Sequence, residues 1–333
     1  MNMLGGLAKT ALAFGALTIL GIAHAGSPIP VTECRQVLDV PGGDYVLTAS
    51  VGDTGCGERG GPITIAADAI HLNTAGVTVY AIGDGIHIND GLSDVVIDGG
   101  GSLRGGGGLS IGKAHHIVVD GITIKGESDL GGSMAGVEIN GATGVTLTRC
   151  TIIGADTYGV QMSDARQVSV TISNIIADVG ITGSVNDGRF ENNNVATDAQ
   201  GIILSGSRNL IANNSLNLTY TDRALASYDV GIQVAGGNRV VGNIVNSFFT
   251  GLELSGDSNL VHGNVITGAP ASSLSQQTMY GIETTPGAVH NIIEKNLVAG
   301  NLNDLYEGNP PPCVNVWRNN NFSTSGGATA CIH

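Results

Sequence analysis

The sequence predicts an all-β solenoid in which short parallel strands wind into about ten to eleven coils. A motif of Gly, an apolar residue, any residue and a second apolar residue recurs about every 20 to 23 residues, apart from insertions. The runs after each motif are short, rich in Val and Ile, and separated by Gly, Asn, Ser and Asp. A helical repeat would need longer runs at a 3.6-residue period, so three short strands per coil, a parallel β-helix, fit best.

Two positions of the repeat define the coils. The Gly starts are Gly136, Gly159, Gly201, Gly231, Gly251 and Gly281, with weaker copies at Gly85 and Gly108. A second column precedes the third apolar pair of each coil and comprises Asn174, Asn194, Asn214, Asn243, Asn264, Asn296 and Asn321, with Cys150 and Gly121 in earlier coils. We interpret this column as left-handed corners whose side chains bond along the stack. One coil start between Val179 and Gln200 has no clear Gly motif.

Residues 1–25 have the features of a secretory signal peptide. They carry one lysine, an apolar stretch from Ala11 to Ala23, and the small-x-small site Ala23-His24-Ala25. The apolar part is too short for a membrane span, and no later stretch approaches the ~18 uninterrupted apolar residues that a span requires. We therefore expect a secreted or periplasmic protein.

Two cysteine-containing segments flank the repeats and complete a family pattern. One runs from Cys34 to Cys56 and leads into Ile63-Thr64-Ile65, and the other runs from Cys313 to Cys331. Together with the Gly starts and the Asn column, they make residues 31–333 resemble the secreted bacterial right-handed parallel β-helix proteins of the pectate-lyase-like superfamily. The resemblance implies an N-terminal cap at 26–62, a right-handed β-helix at 63–308, a C-terminal cap at 309–333, and a polysaccharide or other glycan as ligand. The motif sets of polygalacturonases, pectate lyases and mannuronan epimerases are absent, so no active site is transferred.

The five cysteines of an exported chain suggest disulfides. Their positions suggest that Cys34 pairs with Cys56 and Cys313 with Cys331, one staple at each end of the solenoid. Cys150 stands in the Asn column, and we predict it to be a small buried core residue.

The charge of the chain limits its partners. Lys and Arg number 14 against 28 Asp and Glu, a formal net charge of −14, which argues against nucleic acids and anionic membranes. A polyuronate would need a cation or a local basic pocket. A capped solenoid with an acidic surface has no evident need to associate, so we expect a monomer.

Three insertions, at 125–135, 219–230 and 267–280, each fall just before a Gly start. Loops carry binding residues more often than packed coils do, and these loops would overhang the first strand of each coil. The middle residue of each motif points outward by strand alternation. The resulting outward column is His87, Ser110, Glu138, Gln161, Ile203, Gln233, Glu253 and Glu283.

The loops from 219 and 267 flank a coil with a short third turn, which predicts a pocket with Gln233, Glu253 and Glu283 as its floor. Two glutamates on neighbouring strands, about 4.8 Å apart, cannot both ionise cheaply, so one pKa rises or a cation lies between them. We assign catalytic roles to Glu253, Glu283 and Asp229, and substrate-binding roles to Gln233, Arg223, Tyr228, Tyr280, Glu138 and His87.

Three chemistries remain open for this pocket. They are glycoside cleavage by a carboxylate pair, a calcium site that assists a lyase or an isomerase, and simple hydrogen bonding to sugar hydroxyls. No His or Cys spacing predicts a zinc site. A second cluster is predicted at the other end of the same face, where His87 and Glu138 lie near Lys125, Glu127, Asp129 and Arg104. The alternative to an enzyme is a non-catalytic exported β-helix that serves as a glycan-binding, surface or structural module.

Overall fold

The computed structural model describes residues 27–33, 35–51, 63–127, 135–219, 229–268 and 279–333. The predicted signal peptide and Cys34, Cys56, Asp129, Arg223 and Tyr228 lie outside these ranges. In the described residues the chain forms 33 strands and one 3-10 helix, Thr329–Cys331. No helix in these ranges has the length and hydropathy to cross a membrane. The fold is an all-β parallel solenoid of about 11 turns, which confirms the predicted fold class.

Each coil contributes one strand to each of three parallel sheets, separated by a first, a second and a third turn. The first-strand sheet contains Val37–Leu38, Ile63–Ile65, Asp84–Ile88, Gly107–Ile111, Ala135–Asn140, Val230–Val234, Thr250–Leu254, Tyr280–Thr284, Asn303–Glu307 and Ser325–Gly327. Between Asn140 and Val230 this sheet is continued by the ends of three long strands, Thr151–Arg166, Asn174–Asn186 and Asn194–Leu204. Their beginnings belong to the third-strand sheet, because each runs through its third turn.

The two remaining sheets follow the same order of coils. The second-strand sheet contains Ile29–Val31, Asp44–Leu47, His71–Asn73, Val96–Asp98, His115–Asp120, Thr143–Thr148, Ser169–Thr171, Arg189–Glu191, Leu210–Ala212, Arg239–Val241, Leu260–His262, Ile292–Glu294 and Val316–Arg318. The third-strand sheet contains Thr78–Tyr80, Ser102–Gly105, Thr123–Gly126, Ser215–Leu218, Ile244–Asn246, Val265–Thr267 and Leu297–Ala299, besides the three long strands. Parallel pairing thus extends into both ranges that the sequence assigned to caps.

Aliphatic side chains in register fill the interior. On the third-strand sheet Ile152, Ile175, Val195 and Leu216 are consecutive register partners, and all four are fully buried. Burial of each such side chain contributes about 1.5–3 kcal/mol. The continuous stack holds the outward residues of successive coils at the spacing of one strand.

The Gly that starts each first strand is required by a close approach of two backbones. A Cβ added at Gly231 would lie 2.4 Å from Cγ1 of Val245 and 2.5 Å from the carbonyl oxygen of Gly251. The first strand therefore begins directly against the inward side chain of the third strand, and this contact explains the repeated Gly.

The asparagine column differs from the prediction by one residue in some coils. The column at the second turn comprises the buried Asn193, Asn214, Asn243, Asn264 and Asn296 and the half-buried Asn320. Asn174, Asn194 and Asn321 instead lie at the next position, in the third strand or paired with it. Within Asn192-Asn193-Asn194 the sequence could not distinguish the positions. The left-handed corner is the residue before the column, for example Asn213 at φ 55° and Gly263 at φ 66°.

The C-terminal end carries the predicted disulfide. Cys313 and Cys331 are bonded, which confirms that pairing, and a loop of this length is worth about 3 kcal/mol in the chain-entropy model. Cys150 is a free, buried cysteine, as predicted. Burial raises the pKa of its thiol to about 11, so it is not a reactive thiolate at neutral pH.

Candidate functional site

The predicted outward column lies in register along the first-strand sheet. Its members follow one another from His87 to Glu283. Thr182 occupies the coil that the sequence left open, between Gln161 and Ile203. Thr64 precedes His87, and Tyr306 follows Glu283. One face of the molecule therefore presents a straight row of side chains, one per coil.

Three consecutive members form the polar centre of this row. Gln233 pairs with Glu253 and Glu253 with Glu283 in the strand register, so neighbouring positions are about 4.8 Å apart. Nε2 of Gln233 donates a hydrogen bond to Oε1 of Glu253 at 2.6 Å. The amide thus binds the first carboxylate from one side and leaves the second glutamate on the other.

Glu283 differs from an ordinary surface glutamate. Burial raises the pKa of the Glu283 carboxyl, and the negative charge of Glu253 adds a smaller increase, so that this pKa is about 7. A rise was expected at one of the two glutamates, and it falls on the one without the glutamine partner. At neutral pH a large fraction of Glu283 therefore carries a proton that it can donate.

Two tyrosines lie close to Glu283, Tyr280 on the same strand and Tyr306 on the next coil. The rings of Tyr280 and Tyr306 lie 4.7 Å apart between centroids, tilted by 49°. Burial, Glu283 and Tyr306 together raise the pKa of Tyr280. Tyr306 was missed in the sequence because its strand begins with Asn303-Asp304 in place of the Gly motif. The sequence signal for this strand was an apolar residue, Leu305, followed by an aromatic residue at the outward position, Tyr306.

The walls of the predicted pocket are described only in part. The insertions at 219–230 and 267–280 do connect a third strand to the next first strand, but Arg223 and Tyr228 lie outside the described residues. Asp229 was predicted on a wall, whereas the structure buries it completely. Its carbonyl oxygen accepts a hydrogen bond from the Thr250 N–H. Because Asp229 directly precedes the first strand, its side chain is drawn into the coil stack rather than exposed.

The second predicted cluster separates into two groups. His87 and Glu138 lie on the outward column with Ser110 between them, and Asn140 donates a hydrogen bond to Glu138. Arg104 and Lys125 instead lie on the third strands, where both contact Oε1 of Glu127 at 2.6 and 2.8 Å. Among the described residues no ion pair joins the two groups.

The Arg104 group borders a pocket of its own. This pocket measures about 330 Å³ and is lined by Ser50, Val51, Thr78, Tyr80 and Arg104. The Arg104 guanidinium lies 5.8 Å from the centre of the Tyr80 ring and covers that aromatic face. Arg104 is also paired with Glu127, so this pocket offers neither a free cation nor a free ring.

The described part of the chain contains no group of three or more His, Cys, Asp or Glu side chains that could hold a metal ion. Glu253 and Glu283 alone supply two carboxylates, fewer than the six to eight oxygen ligands that calcium takes. A calcium ion at this position would therefore need ligands from the substrate, from water or from the insertions.

Comparison with known proteins identifies the fold. Residues 63–216 match the family model described as right handed beta helix region. The Dettilon tailspike protein is 17% identical with a TM-score of 0.60 over 87% of this chain, and the match spans 61% of the tailspike chain. A cysteine-to-alanine mutant of DFA-IIIase from Arthrobacter chlorophenolicus A6, in complex with DFA-III, is 15% identical with a TM-score of 0.54, over 81% of this chain and 73% of that one. No curated protein shows significant similarity. The right-handed parallel β-helix expected from the sequence is confirmed.

Proposed function

We propose that this right-handed parallel β-helix binds a polysaccharide along the first-strand face and cleaves a glycosidic bond with Glu253 and Glu283. The observation that carries the proposal is the raised pKa of Glu283, about 7, one strand away from a glutamate held by Gln233. Two carboxyl groups in different protonation states, side by side, are the requirement for acid-assisted glycoside cleavage.

The two glutamates take different roles. Protonated Glu283 donates its proton to the glycosidic oxygen as that bond breaks. Glu253, oriented by the Gln233 amide, attacks the anomeric carbon and forms a covalent glycosyl intermediate. Glu283, now ionised, then removes a proton from the water that hydrolyses this intermediate. At the spacing of neighbouring strands, about 4.8 Å, there is no room for a water between the Glu253 carboxylate and the anomeric carbon, so the anomeric configuration is retained.

The tyrosine pair supports a sugar as the ligand. Aromatic rings provide large, rigid contact faces with a polar tip, and Tyr306 lies next to Glu283 in the row. Carbohydrate-acting proteins are among those that share this fold. At 15% and 17% identity that likeness concerns the fold alone, so the proposal depends on the chemistry of the row.

We also place the protein outside the cytoplasm. The Cys313–Cys331 disulfide is of a kind that forms and persists in oxidising compartments. This agrees with the signal peptide predicted at residues 1–25 and with an extracellular or periplasmic polymer as substrate.

The test uses glutamine variants of the exported protein. Glu253→Gln and Glu283→Gln should each lower turnover of the active glycan by about 10²–10⁴-fold, measured as new reducing ends across a glycan panel with calcium or with a chelator. Glu294→Gln, the same change on the second-strand face beside His262 and Arg318, should stay within about twofold. Proton NMR of the first product should show retained configuration.

The other outcomes identify the alternatives. Turnover that survives both glutamine changes rules out the proposed site. An unsaturated, ultraviolet-absorbing product that requires calcium indicates a lyase instead. Saturable binding without any turnover indicates the non-catalytic glycan-binding module.

A further inference from the structure

A pocket on the neighbouring face of the helix is framed by arginines. It measures about 450 Å³ and is lined by Asp187, Gly188, Arg189, Arg208, Asn209, Leu210, Gly237 and Arg239. This volume lies within the range of roughly 300–1,000 Å³ typical of small-molecule sites. The pocket, here called the arginine pocket, spans the first turn and second strand of three consecutive coils.

The strand register explains how the arginines surround one space. Arg189, Leu210 and Arg239 are consecutive partners in the second-strand sheet. The two arginines are therefore two strands apart, about 9.6 Å, with Leu210 as an apolar floor between them. Gly237 has no side chain, and a Cβ added there would approach only the Cβ of Ser207, at 3.8 Å, so this turn leaves the pocket open.

The arginines differ in how far they are neutralised. Arg208 binds both carboxylate oxygens of Asp187, at 2.7 and 2.8 Å, and Arg189 pairs with Glu191 at 2.7 Å. No acidic side chain lies within ion-pair distance of Arg239 among the described residues. The lining holds Arg189, Arg208 and Arg239 against Asp187, and Glu191 pairs with one of them. Three arginines against these two carboxylates leave a local positive charge on an acidic protein.

We propose that the arginine pocket binds an anionic substituent of an acidic glycan, a carboxylate or a sulfate, with the sugar ring over Leu210. Planar guanidinium groups match the geometry of such anions. The pocket spans only three coils, too few charges for nucleic acid, whose binding depends on neutralising many phosphates. The pocket belongs to the same three coils as Thr182, Ile203 and Gln233, but the first turn separates it from that row of outward side chains. A glycan chain can therefore occupy the pocket without entering the catalytic centre. The site is separate from the proposed function and does not depend on it.

The experiment measures binding in a protein in which the proposed cleavage is disabled. In the Glu253→Gln, Glu283→Gln background, titration calorimetry is carried out with trigalacturonate, with its carboxyl-reduced neutral trimer, and with inorganic sulfate. Arg189→Gln, Arg239→Gln should weaken trigalacturonate binding at least tenfold, and the neutral trimer should bind at least tenfold more weakly than the acidic one. Tighter binding of trigalacturonate than of sulfate indicates a carboxylate as the natural anion, and tighter binding of sulfate indicates a sulfate ester.

A matched control removes the same kind of charge elsewhere. Arg149→Gln, at an exposed arginine paired with Asp120 at the second turn of an earlier coil and outside the pocket, should bind trigalacturonate within twofold of the parent. The proposal is overturned if the parent shows no saturable binding to trigalacturonate or sulfate, if the neutral trimer binds equally well, or if Arg149→Gln loses as much affinity as the double arginine change. Unaltered circular dichroism confirms that each variant is folded.

Discussion

The position of Glu283 in the outward row of the first-strand sheet explains why its carboxyl group keeps a proton near neutral pH. Its neighbours on the first-strand face are Glu253 on one side and Tyr306 on the other. An aromatic neighbour and the coil surface withhold water, and a second carboxylate adds repulsion. Both effects penalise the charged form.

The raised pKa predicts how Glu283 affects stability. Its pKa is about 7 in the folded state against a model value of 4.5, so the neutral form stabilises the fold fully below pH 4.5 and that stability is lost as pH rises to about 7. Glu283→Gln, which stays neutral, should therefore raise the free energy of unfolding at pH 8 by on the order of 1 kcal/mol, after allowance for solvent screening. At pH 4 it should change little.

Calorimetric unfolding at both pH values measures the difference. Glu294→Gln is the control, because hydrogen bonds from His262 and Arg318 outweigh desolvation and lower the pKa of Glu294. This control should show no gain at pH 8. Equal effects of Glu283→Gln at pH 4 and pH 8 would contradict the assignment.

At the scale of the element, asparagine side chains join the coils at two turns. In the second-turn ladder, Nδ2 of Asn214 donates to Oδ1 of Asn243, and Nδ2 of Asn243 to Oδ1 of Asn264, at 2.9 and 3.0 Å. A first-turn ladder, not predicted from the sequence, comprises Asn209, Asn238, Asn259, Asn291 and Asn315. Each ladder satisfies buried turn amides that no strand partner reaches.

Removal of one ladder member should be costly because it leaves several buried groups without partners. Asn243→Ala removes the acceptor of the Asn214 N–H and the donor to the Ile211 carbonyl. At about 1–3 kcal/mol for an unsatisfied buried group, we expect a loss of about 3 kcal/mol in urea unfolding. Asn194→Ala, in an exposed pair with Asn174, should cost less than about 1 kcal/mol. Similar losses for both variants would show that the buried ladder does not stabilise the fold.

At the scale of the whole molecule, the last coil closes the core around a buried carboxylate. Glu307 accepts hydrogen bonds from Thr284, Asn309, Asn315 and Trp317. Burial alone would raise the pKa of Glu307, but the hydrogen bonds from Trp317, Asn309 and Asn315 outweigh it and lower that pKa. The carboxylate thus joins its own first strand to the turn and the second strand that follow it.

This network predicts acid sensitivity at one end of the helix. With a folded-state pKa below 4.5, Glu307 contributes stability that is present above about pH 4.5 and is lost as pH falls through the lowered value. Trp317 is the one tryptophan of the chain, so its fluorescence reports this end directly. We expect its emission to shift red below pH 4.5, and in Glu307→Gln the shift should already be present at pH 7. An unchanged spectrum down to pH 2, or identical transitions in both proteins, would contradict the role of Glu307.

The sequence by itself determined the architecture, because each coil repeats the same local requirements. A Gly is needed wherever the first strand passes the third, and alternating apolar residues are needed on every strand. Those requirements also determined the outward row and hence the adjacency of Glu253 and Glu283. The coil of Thr182 was not assigned because Gly180-Ile181-Thr182-Gly183 lacks the second apolar residue of the motif.

Only the tertiary structure decided the properties that depend on neighbours distant in sequence. The burial of Asp229, the aromatic neighbour Tyr306 beside Glu283, and the meeting of Arg189 and Arg239 around Leu210 all arise from stacking coils 20 or more residues apart. A repeat pattern specifies which face a side chain occupies. Burial and charge at that face depend on what the adjacent coils place beside it, and the pKa of Glu283 depends on both.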